Sequence, residues 1–447
     1  MLSFVQNWFG PKPLPIGIDF GSDGLRLAQV QYVGRNEHRL VAAASCDVPS
    51  LVRHDPSARL DFFVTAVRDL LSQGGFRGRQ AVLSLPASVM HILHLRMAKL
   101  DDAETKKAVA FEARGKLPID PGVALMRHLI AGEIFSDNEP KNEVILLAAR
   151  REWVNQFLAA ASRAKLDVIG MNVEPSAMID CFSHVYRRKT DADATHCYVD
   201  IGFAGTRAVI ARGGQILFAR SIPIGGEHLT RAVADALKIS FEDAKLERIK
   251  LALDQPSLDE HRDQRAVTPA PVDAPPTDPT PADACDNSFA LLGAALAKQD
   301  GQHTVTPSTG RMGDLVPPGA QAALVPEPAL PLDPAQQRAQ RVNQACTELL
   351  DRLVSELSMC RRYYEATFPA KPVERLIFIG GEARHRTLCQ YVARSMQLAA
   401  QVGDPMVRMA RTSEVGIESG IDRRQPQPGW AVAIGLSMGP VLVDASK

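Results

Sequence analysis

The sequence predicts an α/β fold made of two repeated halves, and three observations carry that expectation. The first is a pair of acidic-glycine turns, Ile16-Gly17-Ile18-Asp19-Phe20-Gly21-Ser22-Asp23-Gly24 and Val199-Asp200-Ile201-Gly202-Phe203-Ala204-Gly205-Thr206. Each turn closes an apolar run and is followed by a second strand-like run, Leu25–Val30 and Arg207–Ala211, which is the pattern of a β-hairpin. The second observation is that strands and helices follow both copies in a similar order, which a duplication explains economically. The third is a Pro-rich stretch late in the chain that interrupts the second copy.

In each turn Gly lets the chain reverse, and the small side chains leave backbone N–H groups uncovered. A hairpin of this kind can grip a phosphate. Its Asp can hold a hydrated divalent cation while N–H groups and the hydroxyls of Ser22 or Thr206 face phosphate oxygens. Two such hairpins facing each other would clamp a nucleotide triphosphate from both sides.

The elements follow in order. Strands are predicted at Ile16–Phe20, Gly24–Tyr32 and His38–Val48, then an amphipathic helix at Leu60–Gln73 with Phe63, Val67 and Leu70 on its apolar side, then a strand at Ala81–Leu85 cut by Pro86. A strand at Met90–Met97, a helix at Asp101–Lys116, strands at Ala124–Ile134 and Glu143–Arg150 and a helix at Glu152–Lys165 read as a small inserted α/β domain. A helix over 174–188 leads to strands at Ala194–Ile201, Thr206–Arg212 and Gln215–Pro223 and helices at Glu227–Ala236 and Ser240–Leu253. Between Asp254 and Pro334 lie 14 of the 31 prolines with few large apolar residues, too little burial to offset the entropy of ordering, so a long disordered insertion is expected there. A helix at Ala335–Glu365, a strand at Arg375–Ile379, Gly380-Gly381, a helix at Arg384–Leu398 and a last helix at Trp430–Ser437 complete the chain. The expected units are a tail at 1–14, a first half at 15–85, the insert at 86–172, a hinge helix and second-half start at 173–253, the disordered insertion at 254–334, and the remainder with a return helix at 335–447.

Composition sets outer limits. A chain of 447 residues is too long for one core, and 45% hydrophobic with 23% charged residues is ordinary for a soluble globular protein. Lys plus Arg equals Asp plus Glu, so nothing points to nucleic acid as a partner. The seven cysteines show no C-x-x-C spacing and read as reduced thiols rather than as disulfides or a zinc site. The N-terminus lacks a secretory pattern and no stretch reaches the ~18 apolar residues of a membrane span, so a cytoplasmic location is expected.

The order of motifs resembles the actin-like ATPase superfamily, with its ribonuclease H-like halves, and more closely the PilM family of type IV pilus assembly proteins, related to the division protein FtsA. The stretches that carry it are Pro15–Ser22, Leu83–Pro86, Phe111–Ala113, Leu117–Ile119, Leu146–Arg150, Asn172–Ala177, Val199–Gly202, Ser240–Lys245 and Ile377–Gly381. The resemblance implies ATP or ADP as ligand with Mg2+ held through water by Asp19 and Asp200. It implies phosphate clamps around Gly21, Ser22, Asp23 and Gly24 and around Gly202, Gly205 and Thr206. Glu174 would position a water or the metal shell, Glu242 and Lys245 would reach the ribose and base, Gly380-Gly381 would let the backbone approach the adenine, and Gly225-Gly226 would join the second clamp to its helix. Arg26 stands where relatives commonly carry Lys, and Asp23 adds negative charge beside the expected phosphates, which makes hydrolysis less secure than nucleotide binding.

In the PilM family the inserted domain captures the cytoplasmic N-terminal peptide of a membrane-anchored PilN partner, here through Leu83–Pro86, Val89–Leu95, the Asp101–Lys116 helix and Leu117–Ile119. This implies a scaffold peripheral to the inner membrane, tied to it indirectly, and compatible with a homo-oligomer. Rival readings are an FtsA-like membrane-tethered filament protein, which should carry a basic, aromatic amphipathic segment where Gly439–Lys447 stands, a small-molecule kinase of the same fold, and a scaffold that binds no nucleotide.

Overall fold

The apolar runs around the first Asp form β1 (Pro13–Phe20) and β2 (Gly24–Tyr32), and β3 (His38–Asp47) continues the antiparallel meander, in the computed structural model. That structure describes residues 13–33, 37–136, 138–186, 193–254, 333–410, 415 and 419–439. Helix α1 (Pro56–Gln73) starts earlier than the predicted Leu60. The Asp55 carboxylate accepts from the N–H groups of Ser57 and Ala58, and Pro56 sits in the first turn, where a missing N–H costs nothing. Strand β4 (Gln80–Leu85) lies parallel to β1.

Next comes the insert: β5 (Met90–Ala98), α2 (Asp102–Glu112), β6 (Ala124–Ser136) and β7 (Glu139–Arg150), an antiparallel sheet of order β5-β7-β6. Its small core contains Leu95, Met97, Val109, Val144 and Leu146. Helix α2 stops at Glu112, short of the predicted Lys116, and Gly115 then takes φ 74°, a left-handed value a helix cannot continue through. Helix α3 (Arg151–Arg163) and strand β8 (Asp167–Val173) do not stay with this sheet, although the expected 86–172 insert included both. Strand β8 pairs parallel to β4 and closes a five-stranded sheet of order β3-β2-β1-β4-β8, and α3 shares a core with α1. It escaped sequence reading because every residue after Asp167 is half-buried and Gly170 breaks its middle, so only the partner strand makes it one.

Helix α4 (Glu174–Phe182), predicted through 188, ends at Phe182. The second half repeats the first with β9 (Thr195–Ile201), β10 (Thr206–Arg212), β11 (Gln215–Ile222), α5 (Gly226–Leu237) and α6 (Phe241–Asp254). The expected disordered insertion at 254–334 lies, apart from its ends, outside the described residues. Helix α7 (Pro334–Thr367), β12 (Arg375–Ile379), α8 (Arg386–Met396), β13 (Ala399–Val402) and α9 (Ala431–Met438) follow. The second sheet has the order β11-β10-β9-β12-β13, strand for strand a copy of the first.

Helices α1 and α3 cover one face of the first sheet, burying Phe63, Val67 and Phe157 against Ile16, Ile18 and Phe20. Helices α5, α7 and α8 cover the outer face of the second. Between the sheets lie α4 and α9, which meet so closely that a Cβ on Gly435 would overlap the Ala177 carbonyl. The N-terminal end of α4 and the turn before α9 thereby come to the floor of the cleft between the halves.

Candidate functional site

Identical register gives each hairpin the same pair. Strands β1 and β2 set Asp19 opposite Arg26, and β9 and β10 set Asp200 opposite Arg207. The two Arg side chains then part ways. Nε and a terminal nitrogen of Arg207 donate to Asp200 Oδ2 at 2.8 and 2.7 Å, and Nε also lies 3.0 Å from Glu174 Oε2, with only 16% of the side chain exposed. Arg26 instead runs along Gly24 and Gly429 on the cleft wall and acts on Asp19 through charge.

Backbone direction follows from what the carbonyls meet. The Gly21 carbonyl accepts from Arg59 at 3.1 Å and the Asp23 carbonyl from the Val48 N–H at 2.9 Å. A trans peptide points its N–H opposite its C=O, so the N–H groups of Ser22 and Gly24 aim away from Arg59 and Val48. In the second hairpin the carbonyls of Gly202 and Phe203 accept from the N–H groups of Gly226 and Glu227 at 3.0 and 2.9 Å, the first turn of α5, and the N–H groups of Phe203 and Ala204 aim away from that helix. Gly21, Ser22, Asp23 and Gly24 of the first hairpin and Gly202, Phe203 and Ala204 of the second line one cleft of about 440 Å³.

Charge in the cleft is closely matched. Burial pushes the Glu174 carboxyl up to about 8, against the pull of Arg207 and the Ala87 N–H, and Asp19 and Asp200 add to the rise. Burial likewise pushes Asp19 up to about 6, with Arg26, Arg207 and the Ser84 hydroxyl opposing it. The Asp200 and Glu174 carboxylates outweigh the burial of Arg207 and hold it protonated. Asp23 does not face the cleft as a bare charge: Arg53 pairs with it at 2.7 Å and Lys245 of α6 at 3.4 Å.

Of the sequence-predicted residues, Asp19, Gly21, Ser22, Asp23, Gly24, Glu174, Asp200, Gly202, Lys245, Gly380 and Gly381 line this cleft. Five expected contacts do not. The buried Thr206 hydroxyl donates to the Ile224 carbonyl at 2.7 Å, so it faces the protein rather than a phosphate. A Cβ on Gly205 would meet the Ile222 carbonyl, one on Gly225 the backbone of Gly202 and Phe203, and one on Gly226 would overlap the Glu382 carboxylate. These glycines let the start of α5 slide under the second hairpin and brace it. Glu242 is exposed on α6 and turned from the cleft, whereas Lys245 reaches it. Gly380 takes φ 90° and its Cα packs on the Asp200 carboxylate, where any side chain would collide, and a Cβ on Gly381 would meet open space.

Sequence reading missed Arg207, which stands the same distance after its Asp as Arg26 does, a signal that overlaying the two hairpins would have shown. It also missed the buried pair of Arg248 with Glu382, bound at 2.6 and 3.1 Å, which fixes the turn after Gly380 against α6, and it missed Arg384 in the cleft wall.

The cleft fits a nucleotide: its volume suits a small ligand, residues of both hairpins line it, Arg26, Arg384 and Lys245 supply positive charge, and Gly381 leaves room for a close approach. A resident Mg2+ fits poorly. Among the described residues no group of three or more His, Cys, Asp or Glu side chains is arranged to hold a metal ion, and Arg207 already holds Asp200 and Glu174. A divalent ion roughly 5 Å from that guanidinium would be repelled by about 7 kcal/mol at an effective dielectric constant of about 20.

A second cavity of about 430 Å³ lies on the other side of the first hairpin and shares Ser22, Pro86, Phe203 and Ala204 with the cleft. Aromatic Phe20, Trp153 and Phe157 and basic Arg53, Arg59, His91 and Arg150 line it, with Pro86, Ser88 and Val89 from the entry to the insert. Arg59 spans the partition: it donates to the Gly21 carbonyl while its guanidinium lies 4.7 Å from the centre of the Phe20 ring. Arg53 does the same with Asp23 and the Phe203 ring, 4.8 Å away.

The family model described as type IV pilus assembly protein PilM matches residues 17–258, and that of cell division protein FtsA matches residues 197–435. The FtsA of Bacillus subtilis (strain 168) is 25% identical over 118 residues, 26% of this chain and 26% of the division protein's length. Among solved structures, the PilM-PilN type IV pilus biogenesis complex superposes with TM-score 0.64 at 18% identity, covering 95% of this chain and 97% of that one, a likeness of fold. The ethanolamine utilization protein EutJ from Carboxydothermus hydrogenoformans superposes with TM-score 0.44 at 13% identity over 96% of this chain and 91% of its own.

Proposed function

This chain belongs to the type IV pilus assembly protein PilM family, with its duplicated actin-like ATPase fold, and from that premise we propose that it is a nucleotide-binding scaffold that captures a peptide of a membrane partner. The cleft takes ATP or ADP, with phosphates against the N–H groups of the two hairpins and Arg26, and with the sugar and base toward Lys245 and Gly381. The second cavity takes the cytoplasmic N-terminal peptide of a PilN-like protein, apolar side chains entering among Phe20, Trp153 and Phe157 and acidic or carbonyl groups meeting Arg59 and Arg150. Among the described residues no helix is long and apolar enough to cross a membrane, and the partner would hold the chain at the inner membrane.

The observation that carries this reading is the shared wall. The first hairpin lines the nucleotide cleft, and its Gly21 carbonyl is held by Arg59 and its Ser22 shared with the peptide cavity, which supports a ligand on one side bearing on the other. Calorimetric titration of the full chain tests the first part: saturable ATP or ADP binding supports it, and none at millimolar nucleotide contradicts it. Trp153→Ala tests the second by removing capture of the partner's N-terminal peptide while nucleotide affinity stays as in the wild type.

A further inference from the structure

We propose that Arg207 is the built-in counter-cation of this cleft, so that the site takes a nucleotide polyphosphate without a divalent metal ion; this rests on the nucleotide-binding reading above. The guanidinium sits between Asp200, at 2.7 and 2.8 Å, and Glu174, at 3.0 Å, with the cleft at its open edge. A planar guanidinium offers donors in a fixed fork and cannot be deprotonated, so it satisfies two carboxylates at once and stays charged. A bound Mg2+ would keep a near-octahedral shell at about 2.1 Å, mostly of water, and the Asp200 Oδ2 that would accept from that water has its acceptor positions filled by two N–H groups of Arg207.

The neighbourhood is built around that placement. Gly380 removes the Cβ that would push the Asp200 carboxylate aside, and Asp200 lies opposite Arg207 in the strand ladder, so the pair is fixed by the sheet itself. A terminal nitrogen of Arg207 also lies against Gly202 of the second hairpin, beside the N–H groups proposed to meet phosphate. Phosphate charge is then met by a positive centre that the chain carries with it, and by Arg26 and Lys245 across the cleft.

Two measurements on the full chain test this. In calorimetric titration with ADP, the proposal predicts a Kd in excess EDTA within about threefold of that in Mg2+, and a loss of about tenfold or more in EDTA overturns it. Direct Mn2+ binding, followed by electron paramagnetic resonance without nucleotide, provides the second. The wild type is expected to show no Mn2+ site that Asp200→Asn removes, and Arg207→Thr is expected to gain one, because carboxylate and hydroxyl oxygens then stand without their cation. A wild-type Mn2+ site lost in Asp200→Asn overturns the proposal, and this arm stands even where Arg207→Thr does not fold. Should ADP fail to bind in either buffer, the nucleotide reading falls, and the Mn2+ result still decides the role of Arg207.

Discussion

The two hairpins share a register but are braced by different parts, and the difference assigns them different work. The second leans on the first turn of α5, backbone to backbone, and turns its Arg inward to neutralise Asp200 and Glu174. The first leans on Arg59 and Arg53, two side chains that also line the neighbouring cavity, and turns its Arg along the cleft wall. A backbone brace is rigid and carries no message. On the proposed function, a brace made of side chains shared with a second cavity would shift when that cavity fills, which makes the first hairpin the element proposed to couple the two ligands.

Removing the Arg from each hairpin separates the two roles most strongly. Arg207→Met leaves the buried Asp200 carboxylate without its cation beside Glu174, and urea unfolding should show a loss of about 3–5 kcal/mol. Arg26→Met should cost about 1 kcal/mol of stability, well short of the Arg207 loss, and weaken ADP binding about tenfold, measured by calorimetry. Equal losses of stability from both would mean that the hairpins are braced alike.

The acid beside Arg207 gives a pH signature. Glu174 titrates near 8 in the fold against an ordinary value of 4.5, so the folded state holds the extra proton and its stability declines as pH rises through that window. Unfolding free energies measured across the same range should lose this decline in Glu174→Gln, which cannot ionise; an unchanged profile would place the titration elsewhere.

The hydroxyls provide a smaller test. Thr206→Val leaves the Ile224 carbonyl without its donor and should cost about 1–3 kcal/mol in thermal or urea unfolding with nucleotide affinity unchanged. Ser22→Ala should do the reverse, leaving stability within about 0.5 kcal/mol and weakening nucleotide binding.

What was legible in the sequence was local. Asp19, Asp200 and the hairpin glycines announce themselves because an apolar run, an acid and a turn residue are neighbours in the chain, and the order of such turns disclosed the duplicated fold. What was hidden depends on partners far away. Strands β8 and β13 exist because β4 and β12 offer them parallel edges. Gly225 and Gly226 read as the join between the second clamp and its helix, but why both must be Gly was hidden: the hairpin carbonyls and Glu382 occupy the space a side chain would need. Arg207 looked like an ordinary strand residue until the ladder set it between Asp200 and Glu174.

The central claim is that the first hairpin links the nucleotide cleft to the peptide cavity. Its most direct test is the affinity of the full chain for the cytoplasmic N-terminal peptide of its PilN-like partner, measured with and without saturating ADP. The account predicts a change of about fivefold or more that disappears in Arg59→Ala. Identical affinities in the two conditions, with both ligands shown to bind, would contradict it.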